Sequence, residues 1–61
     1  MKLRDLIRHL HDHGCELLRE GANHSWWINL EKNLRTAVPR HREINDNLVL
    51  KICKDLGIPK P

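Results

Sequence analysis

Two apolar stripes with helical spacing, one near each end of the chain, constrain the fold more than any other feature of the sequence. Leucine or isoleucine occupies positions 3, 6, 7 and 10, and apolar side chains occupy positions 49, 52, 53 and 56. This i, i+3, i+4, i+7 spacing places each set along one face of a helix. We therefore predict a helix over residues 3–13 and a second between a cap at Asn45 or Asp46 and Gly57. Each helix must bury its stripe against another element.

The segment between the two stripes predicts three β-strands. Residues 15–20, 24–30 and 34–38 are short runs separated by glycines or the turn-forming EKN, and Pro39 follows the last of them. In the second run, alternation places one set of side chains on each face. The more apolar set is expected to face the core: His24, Trp26, Ile28 and Leu30. The other set is expected on the open face: Ser25, Trp27 and Asn29.

This element order predicts an α+β fold with the sequence α-β-β-β-α. Two amphipathic helices would cover one face of a three-stranded antiparallel sheet, which is also the arrangement of the double-stranded-RNA-binding domain. The chain has 61 residues, so we expect a single domain over residues 1–61 with a small core.

Several classes of protein are disfavoured by the composition. No run approaches the length of a membrane helix, and the N-terminus lacks the apolar core of a signal peptide, so we expect a cytoplasmic protein without a membrane partner. Cys15 and Cys53 form no CxxC motif and are expected to be buried thiols. His9 and His13 have a spacing that can chelate a metal, but no third ligand is recognisable, so we expect no metal and no cofactor.

Positive charge is concentrated in the second half of the chain. Residues 1–30 carry four basic and four acidic side chains, whereas residues 31–61 carry seven basic and four acidic ones. Arg35, Arg40 and Arg42 lie close together around His41. Such a cluster suits binding of a polyanion, and an ordinary solvated surface is the alternative that the charge pattern alone supports equally well.

His24 is the best candidate for a chemical role. It opens a strand directly after a turn, and the start of the second strand of an antiparallel hairpin lies beside the end of the third. His24 is therefore expected near Arg40, His41 and Arg42, where a proton-transfer group beside positive charge suits phosphodiester cleavage. The alternative is a half-buried structural histidine. Catalysis by Ser25 with His24 is disfavoured, because adjacent strand residues point to opposite faces. Cys15 could approach His24 across the sheet, but nothing electropositive around it would activate the thiol, so a core thiol is preferred.

The two tryptophans predict different roles. Trp26 is expected in the core under the helices, and Trp27 on the open sheet face, where it could stack on a base or insert into a protein partner. We favour the protein partner, because a single aromatic ring makes a poor stacking platform. A homodimer through the same face is also possible.

Four segments together resemble the HicA-type toxins, small mRNA interferases of bacterial toxin–antitoxin pairs. They are the opening MKLRDLIRHLHDHGCELLREG, the turn and strand GANHSWWIN, the connection VPRHREI and the closing helix DNLVLKICKDLGI. The most specific piece is the histidine after Gly-x-Asn, followed by an aromatic-rich strand. Many members have Gly-Ser-His at this place, so the role of Asn23 is left open.

The resemblance implies a fold similar to a double-stranded-RNA-binding domain and a ribosome-independent endoribonuclease. It places the family's functional histidine at His24 and implies a HicB-type antitoxin that covers His24, with Trp27 as a further expected contact. We expect His24 to act in a metal-free transesterification of single-stranded mRNA. The expected RNA contacts are Asn23, Arg40, His41, Arg42 and Lys51, with His41 as a weaker candidate for a second proton-transfer group.

The alternative function is a non-catalytic RNA-binding or protein-interaction module of the same fold. A double-stranded-RNA binder normally spreads its basic contacts along the last helix and a loop. Here the last helix offers Lys51 and Lys54 against Asp46 and Asp55, which favours the nuclease only mildly.

Overall fold

The computed structural model describes all 61 residues and contains five elements. They are α1 (Leu3–Asp12), β1 (Cys15–Glu20), β2 (His24–Asn29), β3 (Leu34–Pro39) and α2 (Asp46–Leu56). The strands form one antiparallel sheet in the order β1-β2-β3. The predicted α+β class and the α-β-β-β-α order are confirmed. Neither helix has the length and apolar character needed to cross a membrane.

The ends of α2 follow from local sequence. The side chain of Asn45 accepts a hydrogen bond from the Asn47 N–H at 2.8 Å, so Asn45 is the cap rather than Asp46. Gly57 adopts a left-handed conformation with φ of 68° at the other end, a conformation that costs glycine little. The Ile58 N–H then donates to the Cys53 carbonyl at 3.0 Å, which satisfies one of the last carbonyls of the helix.

The hydrophobic core lies between the helices and one face of the sheet. Ile44 and Val49 are both buried in it, as expected for apolar residues that flank a helix cap. Every element contributes to the ten-residue cluster, which consists of Leu6, Leu10, Cys15, Trp27, Val38, Ile44, Val49, Ile52, Cys53 and Leu56.

The predicted assignment of the two faces of β2 is wrong. The structure buries Trp27 at 4% exposure in the core cluster, whereas Trp26 is half-buried on the open face, the sheet face that no helix covers. His24 is exposed. The second set of alternating residues, not the first, therefore faces the helices.

Hydrogen bonds explain why the more polar set can face inward. Asn29 donates through its side-chain amide to the Leu56 carbonyl at 2.8 Å. Because this bond satisfies both a buried amide and an unpaired carbonyl at the end of α2, Asn29 is stable at 4% exposure. Thr36, the neighbour of Trp27 on β3, similarly donates to Asp55 at 3.0 Å. Thr36 and Val38 face inward as predicted.

Backbone hydrogen bonds join the start of α1 to the connection between β3 and α2. The Leu3 N–H donates to the Arg42 carbonyl at 2.9 Å, and the Ile44 N–H donates to the Met1 carbonyl at 2.8 Å. Lys2 and Glu43 form an isolated antiparallel bridge between these bonds. Residues about forty positions apart in the sequence are therefore neighbours at the end of the sheet where β3 finishes.

Candidate functional site

His24 lies at the first position of β2, directly opposite Pro39, the last residue of β3. The residue is exposed, and its imidazole makes no hydrogen bond to any other group of the chain. The start of β2 therefore lies beside the end of β3, as expected, and Arg40 of the following connection contacts His24. An exposed ring with free nitrogen atoms can reach a ligand and exchange a proton with it.

The turn that precedes His24, residues 21–24, depends on Gly21. The Gly21 N–H donates to the His24 carbonyl at 2.7 Å. A Cβ atom at position 21 would lie 3.1 Å from that carbonyl oxygen and 3.6 Å from the indole nitrogen of Trp26. Glycine is favoured here by this close approach rather than by its backbone conformation, because residue 21 does not have a positive φ.

Arg40 holds this turn in place from the end of β3. Its guanidinium donates to the His24 carbonyl at 2.9 Å, to the Glu20 carboxylate at 3.0 Å and to the Ala22 carbonyl. The planar fork of an arginine can reach several acceptors at once, which a lysine cannot do. Arg40, predicted as an RNA contact, is thus used largely for fixing the backbone of His24.

Glu20 and Ser25 complete this network and were not predicted as site residues. The Ser25 hydroxyl donates to the same Glu20 oxygen at 2.5 Å, and Glu20 lies opposite Ser25 in the β1–β2 register. Glu20 therefore accepts hydrogen bonds both from β2, through Ser25, and from the residue that follows β3, Arg40. The only sequence signal for this role was the position of an acidic residue at the end of the strand that precedes the turn.

The other predicted RNA contacts divide into two groups. Asn23, His41 and Arg42 are exposed and lie at the same end of the sheet as His24. Lys51 instead forms an ion pair with Asp55 at 2.7 Å. Because Asp55 also bonds Thr36, Lys51 lies beside the middle of β3 and is not brought to His24.

The charge environment of Asp55 follows from these contacts. Hydrogen bonds from Lys51 and Thr36 hold the pKa of the Asp55 carboxyl below its ordinary value, against a smaller opposing effect of desolvation. The ion pair is exposed to solvent on the lysine side. The ion pair lies within α2, and the hydrogen bond from Thr36 to Asp55 is the contact that joins α2 to the sheet.

Trp26 lies on the open face of the sheet, where the sequence pattern had predicted Trp27. Arg19, which is opposite Trp26 in the register, places its guanidinium carbon 5.5 Å from the centre of the indole ring, within the range of a cation–π contact. Trp27 instead packs in the core, with its ring 5.1 Å from that of His11. A surface role for Trp27 in a homodimer or heterocomplex is excluded by this burial, and the corresponding surface position belongs to Trp26.

The cysteines and the helix histidines lie outside the site. Cys15 and Cys53 are free thiols at 1% exposure, as predicted, and burial raises the pKa of both. A nucleophilic role for Cys15 is therefore disfavoured. His9 donates from Nε2 to the Pro59 carbonyl at 2.6 Å, and its ring centre is 4.5 Å from that of His13.

Comparison with known proteins gives one family. No curated protein and no solved structure matches the chain. The family model described as the HicA toxin of bacterial toxin–antitoxin systems matches residues 3–58 of the 61. The matched range includes both helices, the whole sheet and the His24 turn. The chain therefore belongs to the HicA toxin family, and its family role is that of the toxin in a toxin–antitoxin pair.

Proposed function

We propose that the chain is a ribosome-independent endoribonuclease that cleaves mRNA at His24. The observation that carries the proposal is the exposed imidazole of His24, which has no hydrogen-bond partner within the chain and stands on a turn held by Arg40. A side chain that served only the fold would be expected to bury its ring or bond it. The cationic side chain of Arg42 and the imidazole of His41 nearby suit a substrate made of phosphodiesters.

The proposed chemistry is an intramolecular transesterification of the ribose. The 2′-oxygen forms a bond to its own phosphorus, the bond from phosphorus to the 5′-oxygen breaks, and the 5′-oxygen takes up a proton. His24 acts as the base that accepts the 2′-hydroxyl proton or as the acid that protonates the leaving oxygen. Such a transfer typically contributes ~10²–10⁴-fold to the rate. His41 is the candidate for the complementary transfer.

Electrostatic stabilisation of the reacting phosphate is assigned chiefly to Arg42. Its side chain forms no ion pair and no hydrogen bond within the chain, so its charge is available. Arg40 contributes positive charge beside the site but keeps its turn contacts. Lys51, which is paired with Asp55, is left out of this role. Fixed positive charge near a developing oxyanion lowers the barrier without reorganisation.

The chemistry of the cleavage products tests this mechanism. A defined RNA, cut by the purified protein without ribosomes and in EDTA, should yield a 2′,3′-cyclic phosphate and a 5′-hydroxyl. These ends can be identified by mass spectrometry and by their resistance or susceptibility to end-specific phosphatase and kinase. Products with a 5′-phosphate, or complete loss of cleavage in EDTA, would replace this mechanism with metal-dependent hydrolysis.

The proposed partner that silences the activity is a HicB-type antitoxin. Its proposed contact surface comprises His24 and the open face of the sheet, centred on Trp26. A half-buried indole beside an arginine resembles the aromatic and arginine residues that contribute most of the binding energy at protein interfaces. An antitoxin that covers this face would also cover the end of the sheet where His24 stands.

A non-catalytic RNA-binding module is the second candidate function. The observation that favours it is the absence of any group that orients the His24 ring, since a catalytic base is commonly oriented by a third group. In an unliganded site such contacts are often formed only with substrate bound, so we rank the nuclease first. A protein that binds RNA but leaves it intact under all ionic conditions would support the binding module.

A further inference from the structure

We propose that a basic cleft at the start of α1 binds the RNA backbone next to the segment held at His24. This inference rests on the proposed function, because it extends the same RNA-binding surface. The cleft lies between the first turns of α1 and the connection after β3. No residue of α1 was predicted to contact RNA.

The cleft has the dimensions of a small ligand site. Its volume is about 370 Å³ and its lining consists of Lys2, Leu3, Arg4, Ile7 and Arg42. Small-molecule sites typically measure about 300–1,000 Å³, so this one is large enough for a phosphate and part of its nucleotide. Three of the five side chains are cationic and two are apolar, a combination that suits a ligand with both an anionic and a flat apolar part.

None of the three cations forms a close ion pair, although Lys2 lies opposite Glu43 in the backbone bridge. Lys2 and Arg42 take part in no ion pair. Arg4 approaches only Asp5, at 3.9 Å between Nε and Oδ1, and its side chain remains 75% exposed. A pair that is so long and so exposed contributes little. The cleft is therefore a site of concentrated positive charge, which attracts an anion and is weakened by salt.

The position of Arg42 connects the cleft to His24. Arg42 follows Arg40 by two residues, and Arg40 donates to the His24 carbonyl at 2.9 Å. Two residues of extended chain span at most about 7 Å. The backbone bond from Leu3 to Arg42 fixes the start of α1 against the same connection. The cleft therefore lies close to the His24 turn, with the unpaired Arg42 on the side of the cleft that follows β3, whereas Arg40 itself is paired with Glu20.

This proximity of the cleft to the His24 turn favours a nucleic-acid strand over an acidic peptide. A strand that places one phosphate at His24 carries further phosphates at regular intervals, so it can place a neighbouring one between Lys2, Arg4 and Arg42. The apolar side chains of Leu3 and Ile7 can contact the sugar or the base of that nucleotide. The carboxylates of an acidic peptide have no such regular spacing, so only particular peptide sequences would match the positions of these cations.

The test measures binding of a single-stranded oligonucleotide made entirely of 2′-O-methyl ribonucleotides, which the proposed transesterification cannot cut. Fluorescence anisotropy at several salt concentrations gives the slope of log K against log salt. The variant is Lys2→Gln with Arg4→Gln. The Lys2 side chain makes no cap hydrogen bond, so the helix should form, which circular dichroism checks. The matched control is Lys54→Gln with Lys60→Gln, which removes the same charge outside the cleft.

The proposal predicts that the cleft variant loses slope and the control does not. The cleft is proposed to hold one phosphate, and each phosphate contact contributes about 0.7 to the slope for a single strand, so the loss of this contact should lower the slope by about 0.7. On unmodified RNA the cleft variant should show a raised KM with kcat unchanged. An equal loss of slope in both double variants would mean that the substitutions only weaken the general electrostatic attraction between the protein and RNA. No loss of slope in either variant would mean that the cleft does not contact RNA. Both results overturn the proposal.

The same measurements separate this proposal from the proposed nuclease. If the wild type binds the oligonucleotide with the expected difference in slope but does not cut RNA, the nuclease fails and the cleft stands. If the wild type cuts RNA while the cleft variant binds and cuts like the control, the cleft fails and the nuclease stands. If the cleft variant keeps its RNA affinity but loses affinity for the antitoxin, the cleft binds a protein instead, which also overturns the proposal.

Discussion

At the scale of single residues, Arg40 and Arg42 show that neighbouring arginines with the same sequence signal have different roles. Arg40 directs its guanidinium to the turn and bonds Glu20, Ala22 and the His24 carbonyl. Arg42 contributes its backbone carbonyl to the fold and leaves its side chain without a partner. Arg40 is therefore a positioning residue for the His24 turn, and Arg42 is the proposed ligand-binding residue.

Replacement of Arg40 by lysine tests the positioning role, because the charge is kept while the multiple contacts are lost. The Arg40 contacts are exposed to solvent, where ion pairs contribute about 0.2–1 kcal/mol, so Arg40→Lys should lower the free energy of unfolding by up to about 1 kcal/mol. The rate of RNA cleavage should fall through kcat, whereas the salt dependence of RNA binding should not change. Urea denaturation, steady-state kinetics and anisotropy measure the three quantities.

Arg42→Lys is the matched control for that experiment. Its side chain makes no hydrogen bond in the chain, so the free energy of unfolding should change by no more than about 0.5 kcal/mol. If the two lysine variants were equally stable and equally active, Arg40 would have no special effect on the His24 turn.

At the scale of elements, β2 places its two tryptophans in opposite environments. The alternation of the strand was predictable, but its orientation was not, because each of the two possible faces carries one tryptophan. The apolar count favoured the face with Trp26 and Ile28. In the structure the other face packs against the helices. The side chains of Asn29 and Thr36 form hydrogen bonds there with residues of α2 that lie 27 and 19 positions further along the chain. Sequence periodicity contains no information on such distant partners.

Alanine substitutions of the two tryptophans should therefore affect different properties, namely the stability of the fold for Trp27 and the affinity for the antitoxin for Trp26. Trp27→Ala removes a core side chain and should cost about 3–5 kcal/mol, enough to unfold much of so small a domain. Trp26→Ala should leave the thermal midpoint nearly unchanged. It should weaken binding of the antitoxin by about 2 kcal/mol or more, which is about thirtyfold in Kd. A folded Trp27→Ala protein, or normal antitoxin affinity after Trp26→Ala, would contradict the assignment of the faces.

The fastening of α2 to β3 through Asp55 predicts a pH-dependent stability. Because the pKa of Asp55 is lowered in the folded chain, its contribution is present near neutral pH and is lost as the pH falls below the ordinary range of a carboxyl group. Asp55→Asn should lower the urea midpoint at about pH 7, and its difference from wild type should shrink towards about pH 2.5.

Asp12→Asn provides the comparison for this effect. Asp12 is exposed and forms no ion pair, so its difference from wild type should stay small at every pH. A deficit of Asp55→Asn that persisted unchanged in acid would assign the effect to lost packing rather than to the ionised carboxylate.

At the scale of the whole molecule, much of the architecture could be predicted from sequence but the complete site could not. The stripes of both helices, the caps at Asn45 and Gly57, and the pairing of His24 with the end of β3 all follow from local patterns. The network of Glu20 and Ser25 depends on three-dimensional proximity at the end of the sheet. The proposed cleft residues Lys2 and Arg4 could not be predicted for the same reason, because backbone contacts between the start of α1 and the connection after β3 bring them to Arg42.

The most direct test of the central claim compares wild type with His24→Ala on one defined RNA, without ribosomes and in EDTA, with circular dichroism to verify folding. His41→Ala serves as a second comparison. Wild type should cut the RNA, and folded His24→Ala should lose ~10²–10⁴-fold in rate, with a smaller loss for His41→Ala. Equal cleavage by wild type and His24→Ala, or no cleavage by either while both bind RNA, would contradict the claim that His24 moves a proton during mRNA cleavage.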